Sequence, residues 1–196
     1  LALLNDPALE PAWPEDETIG WVYQYFTPAE LRDQARKASS APRTSHELAF
    51  RNQFYTPRYV VRFLVDNTLA RLWWQMRNGR TRLAEDCKYL IRQDAQESSP
   101  PPIRDPRTLR ILDPAVGSAH FLLYCFDLLL IIYDEAYDDP DLGPALQREF
   151  PDRDLYRRQT PRLILEHNLH GIDIDPRAVQ IATLALLLRA QRAWAE

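Results

Sequence analysis

The sequence predicts an α/β fold: the opening strands of a parallel sheet, preceded by a helical N-terminal segment. Three observations predict it. Thr108-Leu109-Arg110-Ile111-Leu112 is an apolar run that ends at Asp113 and reads as a buried strand. A small-residue turn follows, then a helix from about 119 to 136 that is apolar nearly all round, as suits a helix packed on a sheet. After a polar connection the pattern returns. His170-Gly171-Ile172-Asp173-Ile174-Asp175 reads as a strand and its exit, and Pro176 opens a final helix. Strand, turn, helix, connection, strand, helix is how a parallel α/β sheet begins.

The elements before the first strand read as helices and connections. Residues 1–18, rich in Pro and acids, read as an extended lead. Ile19-Gly20-Trp21-Val22-Tyr23-Gln24-Tyr25-Phe26 is aromatic and should pack on something. Thr27-Pro28-Ala29-Glu30 carries a helix start: Thr as cap, Pro at the first helical position, Glu at the capping-box position. Residues 39–44 form a linker. Thr56-Pro57 repeats the cap-then-proline signal. Val61, Leu64, Val65, Leu69, Leu72 and Met76 then fall at helical spacing and predict one buried stripe. Asn78-Gly79 should end that helix. A shorter helix covers about 81–91, with Leu83, Cys87, Leu90 and Ile91 inward. Ser98-Ser99-Pro100-Pro101-Pro102 can be neither helix nor central strand and marks a surface connection.

Beyond the first strand, Asp138 to Asp154 reads as a polar surface excursion. Pro161 to His167 reads as a helix. The last helix is expected to turn Val179, Ile181, Ala182, Leu184, Leu186 and Leu187 toward the core.

Composition bounds the function classes. The chain has 196 residues, enough for one domain with a core plus a helical lead. We divide it into a lead and linker over 1–48 and the front part of a larger domain over 49–196. Both ends look cut, so the chain reads as a piece of something longer. Net charge is −4, which carries no global basic signature of nucleic-acid binding, although a local basic face would suffice. Cys87 and Cys125 form no metal or disulfide spacing, and buried thiols in a reducing cytosol are expected. The apolar run from Phe121 to Ile132 is interrupted by Asp127 and is short of the ~20 residues of a membrane span. No signal peptide is visible. A cytoplasmic protein is expected. His46, His120, His167 and His170 lack ligand spacing and read as solvated or polar core residues, so no metal is expected.

Three segments carry chemistry. The first is the turn Asp113-Pro114-Ala115-Val116-Gly117-Ser118. A small-residue loop between a strand's carboxyl end and a helix N-terminus clusters backbone N–H groups, and open α/β sheets bind ligands there. Gly117 permits close approach and unusual dihedrals. Asp113 can accept a hydrogen bond from a cationic amino group, which favours a zwitterionic ligand such as S-adenosylmethionine over a dinucleotide. A purely structural strand-to-helix turn is the alternative. The second is Asp173, at the tip of the next strand, placed to take both ribose hydroxyls of a nucleoside. Asp175, directly before Pro176, fits a helix cap better. The third is Asn52-Gln53-Phe54-Tyr55-Thr56-Pro57. It reads either as a helix cap with aromatic packing or as a segment whose Thr56 hydroxyl reaches a cofactor carboxylate.

Together and in this order, the three segments resemble the N6-adenine DNA methyltransferases of the gamma arrangement. The matching stretches are Phe54-Tyr55-Thr56-Pro57, Asp113 to Leu122, and Gly171 to Ala182. A narrower resemblance, to the large methyltransferase of BREX-type phage-defence systems, rests on Gly20-Trp21-Val22-Tyr23-Gln24-Tyr25-Phe26, on Phe54 to Val61 and on Asp66-Asn67-Thr68-Leu69. The resemblance implies a Rossmann-like, S-adenosylmethionine-dependent methyltransferase sheet, with double-stranded DNA as substrate and other phage-defence or restriction–modification subunits as partners. It implies cofactor contacts at Tyr55, Thr56, Pro57, Asp113, Pro114, Ala115, Gly117, Ser118, Phe121, Asp173 and Ile174.

Two departures matter. Ala119 stands where the pattern has its second glycine, which would weaken cofactor affinity if that position needs a positive φ. The base-gripping Asn-Pro-Pro-Tyr segment does not occur in these residues, so no catalytic residue is assigned and the chain alone is expected to be inactive. The competing readings are a methyltransferase acting on RNA or protein, and a non-catalytic partner-binding module. A nicotinamide-dependent enzyme is disfavoured, because no G-x-G-x-x-G occurs among only five glycines.

Overall fold

The computed structural model describes residues 6–26, 28–51, 54–92 and 100–195. From Asp6 onward the lead is not extended, and residues 1–5 lie outside the described residues. Asp6 caps a 3-10 turn over Pro7–Ala12 by accepting the Ala8 N–H. The aromatic segment is helix α1 (Thr18–Phe26). Helix α2 (Ala29–Ala38) has Pro28 at its cap position, and Thr27 lies outside the described residues. Helix α3 (Ser45–Arg51) follows the linker.

The long helix after Thr56-Pro57 comes in three pieces: α4 (Arg58–Val65), a π-helical turn (Asp66–Ala70) and α5 (Arg71–Met76). Pro57, not Thr56, occupies the cap position, and no side-chain cap bond forms. The wide turn shifts the buried face. Val61, Val65, Leu69, Trp73 and Met76 are buried, whereas Leu64 and Leu72 are exposed. An ideal 3.6-residue repeat cannot anticipate that slip.

The π turn has a structural cause. Asp66 is fully buried there and accepts bonds from the Tyr124 hydroxyl (2.7 Å) and the Tyr89 N–H (3.0 Å). Asn67 bonds the Tyr89 carbonyl (2.8 Å) and the Ile91 N–H (2.9 Å). These two residues pin the 87–91 segment to the helix, so that stretch needs no helix of its own. Only α6 (Leu83–Asp86) forms, and Ile91 is exposed. Asn78 and Gly79, at φ 51° and 80°, end α5 in left-handed conformation as expected.

Strand β1 (Ile111–Asp113) follows a 3-10 turn at Pro106–Thr108. Helix α7 (His120–Tyr137) is the central element, and eleven of its residues are buried. The presumed surface excursion contains α8 (Gly143–Glu149). Helix α9 (Arg153–His167) begins well before Pro161, because Asp152 caps it by accepting from Asp154 and Leu155 N–H (2.8 and 3.2 Å). Pro161 sits buried inside that helix. Strand β2 (Leu169–Gly171) pairs in parallel with β1, in the register Ile111–Leu169, Leu112–His170, Asp113–Gly171.

Helix α10 (Pro176–Ala195) buries an alanine stripe, Ala178, Ala182, Ala185 and Ala190. Of the leucines expected inward, Leu186 packs against the core, but Leu184 and Leu187 are 47% and 50% exposed. Small residues bring the helix axis close, and the leucines on the opposite face stay out. Among the described residues no helix is long and apolar enough to cross a membrane. Cys87 and Cys125 are both buried free thiols. The α/β expectation is met in a helix-rich chain with a small two-stranded parallel sheet.

Asn168 joins the two strands. It is fully buried, and every side-chain atom that can bond does so. Its Nδ2 donates to the Pro106 and Leu109 carbonyls (2.7 Å each), its Oδ1 accepts from the Tyr133 hydroxyl (2.9 Å), and its carbonyl accepts from the Ile111 N–H (2.8 Å). Asn168→Ala would take the side-chain donor from the Leu109 carbonyl and the acceptor from the Tyr133 hydroxyl, while the Pro106 carbonyl keeps the Leu109 N–H. We expect a loss of about 2–4 kcal/mol in denaturant unfolding.

Ala119, fully buried at φ 71°, offers a second check. A left-handed non-glycine residue costs ~1–2 kcal/mol. Ala119→Gly relieves that but loses a buried methyl of about 0.8 kcal/mol and gains unfolded-chain entropy of about 0.4–1 kcal/mol. The glycine variant should therefore unfold near the wild-type midpoint. Ala119→Val, β-branched at positive φ, should lose roughly 2 kcal/mol or more.

Candidate functional site

The parallel register places two carboxylates at neighbouring strand tips. Asp113 ends β1, level with Gly171, and Asp173 lies two residues further along the other chain segment. The pairing continues past the strands: the Ile172 N–H donates to the Asp113 carbonyl and the Val116 N–H to the Ile172 carbonyl, each at 2.9 Å. Gly171 is needed for this approach, because a Cβ there would lie 2.8 Å from a Val116 methyl.

The loop between Asp113 and α7 is wound tightly. Gly117 has φ 53°, as its glycine suggested, and its absent Cβ would stand 3.0 Å from the Tyr55 ring. Ala119 takes the left-handed conformation at the start of α7, so the condition under which its methyl was expected to matter is met.

The two carboxylates differ in their surroundings. Asp173 Oδ2 accepts the Gly117 N–H at 2.8 Å and Oδ1 accepts the Asp175 N–H at 2.9 Å. Asp113 Oδ1 accepts the Ala115 N–H at 3.1 Å, but Oδ2 is buried with no hydrogen-bond partner. Burial pushes the Asp113 carboxyl above its ordinary range; the Ala115 N–H opposes this and the nearby Asp173 charge adds to it. Beneath it, burial and the Asp113 charge push the Cys125 thiol up to about 12. Asp113 is thus a desolvated carboxylate that lacks a cation. Asp175 behaves as a cap, its Oδ1 accepting the Arg177 N–H at 3.0 Å. Burial works against its ionised form, but bonds from Tyr23 and Arg177 outweigh that and hold its carboxyl below the usual range.

Two cavities meet at this loop. The first, of about 330 Å³, is lined by Tyr55, Ala115, Gly117, Asp173 and Ile174, with Phe54 at its rim. That volume is in the range of small-ligand sites. The second, of about 280 Å³, is lined by Asp113, Pro114 and Phe121 together with Leu64, Val65 and Thr68. The structure therefore divides the predicted site. Five of the expected residues share one cavity, and Asp113, Pro114 and Phe121 face another across the loop. Thr56 and Pro57 line neither, although they directly follow Tyr55. Ser118 is buried behind the loop, its Oγ without a hydrogen-bond partner. Asn52 and Gln53 lie outside the described residues.

Sequence reasoning missed Leu48, Ala49, Asp175 and Ala178 on the first cavity, since in the sequence Asp175 reads as a cap alone. Leu48 and Ala49 belong to α3, whose sequence carries no motif, and only the folded chain brings it over the strand tips. Phe54 was within the motif, and its exposure of 65% marks it as a wall rather than core. His120, expected to be solvated or polar core, is buried; burial lowers its pKa against opposing effects from Glu17 and Thr56. Among the described residues no cluster of His, Cys, Asp or Glu could hold a metal ion.

No family model matches the chain. Curated relatives do. The chain is 30% identical over 199 residues to the adenine-specific methyltransferase BrxX of Escherichia coli O9:H4 (strain HS), covering 96% of this chain and 14% of that protein. It is 31% identical over 189 residues to the adenine-specific methyltransferase PglX of Lacticaseibacillus casei (strain Zhang), covering 90% of this chain and 14% of that protein. PglX of Streptomyces coelicolor is 27% identical over 178 residues, with 91% of this chain covered and 10% of that protein. The chain thus spans about a seventh of the length of the first two relatives. Over that span, the chain belongs to the family of the adenine-specific methyltransferases BrxX and PglX.

Proposed function

We propose that this chain supplies the S-adenosylmethionine-binding side of a DNA adenine-N6 methyltransferase that works in phage defence or restriction–modification. The observation that carries the reading is the loop at the strand tips, with a nucleoside-sized cavity on one side and a buried carboxylate lacking a cation on the other. The strands would be the first two of a Rossmann-like sheet. Double-stranded DNA would be the substrate, other defence subunits the partners and the cytoplasm the location.

The residues present fit that cofactor. When bound, S-adenosylmethionine supplies a methyl group activated as a sulfonium. Asp173 accepts two backbone N–H groups and, with about four lone-pair sites, keeps room for ribose hydroxyls. Ile174 and Phe54 offer apolar surface for the adenine ring. Asp113 offers its unpartnered oxygen to a cationic amino group, and that cation would relieve the cost of its burial. Tyr55 bounds the cleft opposite the loop and Thr56 and Pro57 follow it in the chain, while Pro114 and Phe121 line the second cavity and Ser118 is buried behind the loop. Catalysis on this side is positioning. With no Asn-Pro-Pro-Tyr in these residues, gripping a flipped adenine is not assigned to them.

Asp113 separates function from stability. Its carboxyl pKa is raised on folding, so its charge counts against the fold as pH climbs from the unfolded-state value through the folded one, and the cost is complete above the folded value. Asp113→Asn keeps the acceptor for Ala115 and removes the charge. The ligand-free variant should melt higher than wild type at pH 7, with the difference closing at acidic pH. Calorimetric titration of the intact protein with S-adenosylmethionine should show at least about tenfold weaker binding, the scale of one lost charge-assisted bond; unchanged affinity overturns the assignment. The 196-residue chain alone should transfer no tritiated methyl groups to DNA, and turnover in that assay would refute the division of labour.

A further inference from the structure

We infer that α1 is a positioning element of the adenosine cleft, and that the Tyr23 hydroxyl sets where the Asp173 carboxylate stands. This rests on the cofactor reading above. Helix α1 reaches both arms of the cleft. On the β1 side, Gly20 meets the cofactor loop: a Cβ on Gly20 would collide with Ser118 Oγ and lie 2.8 Å from His120 Nε2. A glycine inside a helix costs roughly 0.5–1 kcal/mol relative to alanine. Here the close approach requires it. Next to it, the Trp21 ring packs on His120 (centroids 5.1 Å apart) and edge-on to Tyr55 (6.4 Å).

On the β2 side, Tyr23 shares the helix face of Gly20, three residues on. Its hydroxyl donates to Asp175 Oδ2 at 2.5 Å, a charge-assisted bond. The other Asp175 oxygen is held by the Arg177 N–H at the start of α10. The Asp175 N–H in turn donates to Asp173 Oδ1. A chain of bonds therefore runs from Tyr23 through Asp175 to the carboxylate assigned to the ribose. Burial and the Asp175 carboxylate push the Tyr23 pKa upward, so the hydroxyl remains a donor throughout the physiological range. One helix thus braces the cofactor loop at Gly20 and the ribose-binding loop at Tyr23.

The role predicts a ribose-dependent effect, which general loosening of the fold would not give. The probes are S-adenosylhomocysteine and its analogue lacking both ribose hydroxyls, titrated calorimetrically into the intact protein and its Tyr23→Phe variant. Tyr23→Phe should bind S-adenosylhomocysteine about tenfold more weakly, the scale of one bond to a charged group. The deoxygenated analogue should bind wild type and variant alike. Equal weakening toward both ligands, or no weakening toward either, overturns the proposal. Wild-type protein that binds neither overturns the cofactor reading itself, and this inference with it. Gly20→Ala tests the other contact: displacing Ser118 should weaken S-adenosylhomocysteine binding, and wild-type affinity there would contradict the brace.

Discussion

The buried amide of Asn168 is the constraint from which the site follows. It bonds the Pro106 and Leu109 carbonyls ahead of β1 while its own backbone starts β2. That cross-link sets the register, and the register places Asp113 level with Gly171. With only two short strands in the described residues, ladder hydrogen bonds alone would leave slippage cheap. A slip by one residue would turn Asp173 to the other face and separate it from the Gly117 N–H. A side chain satisfied at each polar atom resists that slip, because every alternative strands groups in the core.

Around that pairing, the cleft is assembled from segments far apart in the chain. Helix α7 lies at the centre of the core and presents the loop at its N-terminus. The Tyr55 ring closes over Gly117, and α1 backs the loop where Gly20 leaves no room for a side chain. The electrostatics are uneven by construction. Asp173 and Asp175 are stabilised by N–H and O–H donors, whereas Asp113 is desolvated with one oxygen unpaired. Such a group weakens the empty protein and favours a cationic ligand, the usual trade between stability and binding at a functional site. The left-handed Ala119 adds strain at the same place.

Motif residues divide between binding and scaffolding. Asp66 and Asn67 sit in a segment that resembles a defence-system methyltransferase, yet both are consumed in pinning the 87–91 segment across a π turn. Asp175 is likewise a cap, and it also lines the first cavity and accepts the Tyr23 hydroxyl. The cavity owes part of its wall to α3, which carries no motif at all.

The sequence by itself determined the order of the strands and the central helix, the left-handed Gly117, the cap at Asp175 and the family. These are local matters: an apolar run bounded by turn residues, a glycine where a loop must pack closely, an acid before a proline. Tertiary structure alone decided which helix faces are buried. The alanines of α10 face the core while Leu184 and Leu187 do not, because small residues let the helix approach, and Trp73 replaces Leu72 because the π turn breaks the repeat. It also decided that Asp152 rather than Pro161 starts α9. It divided the predicted site, leaving Asp113 and Asp173 on different cavities of one loop. Which side of a loop a carboxylate faces depends on what packs against that loop from elsewhere in the chain, and no local pattern in the sequence records it.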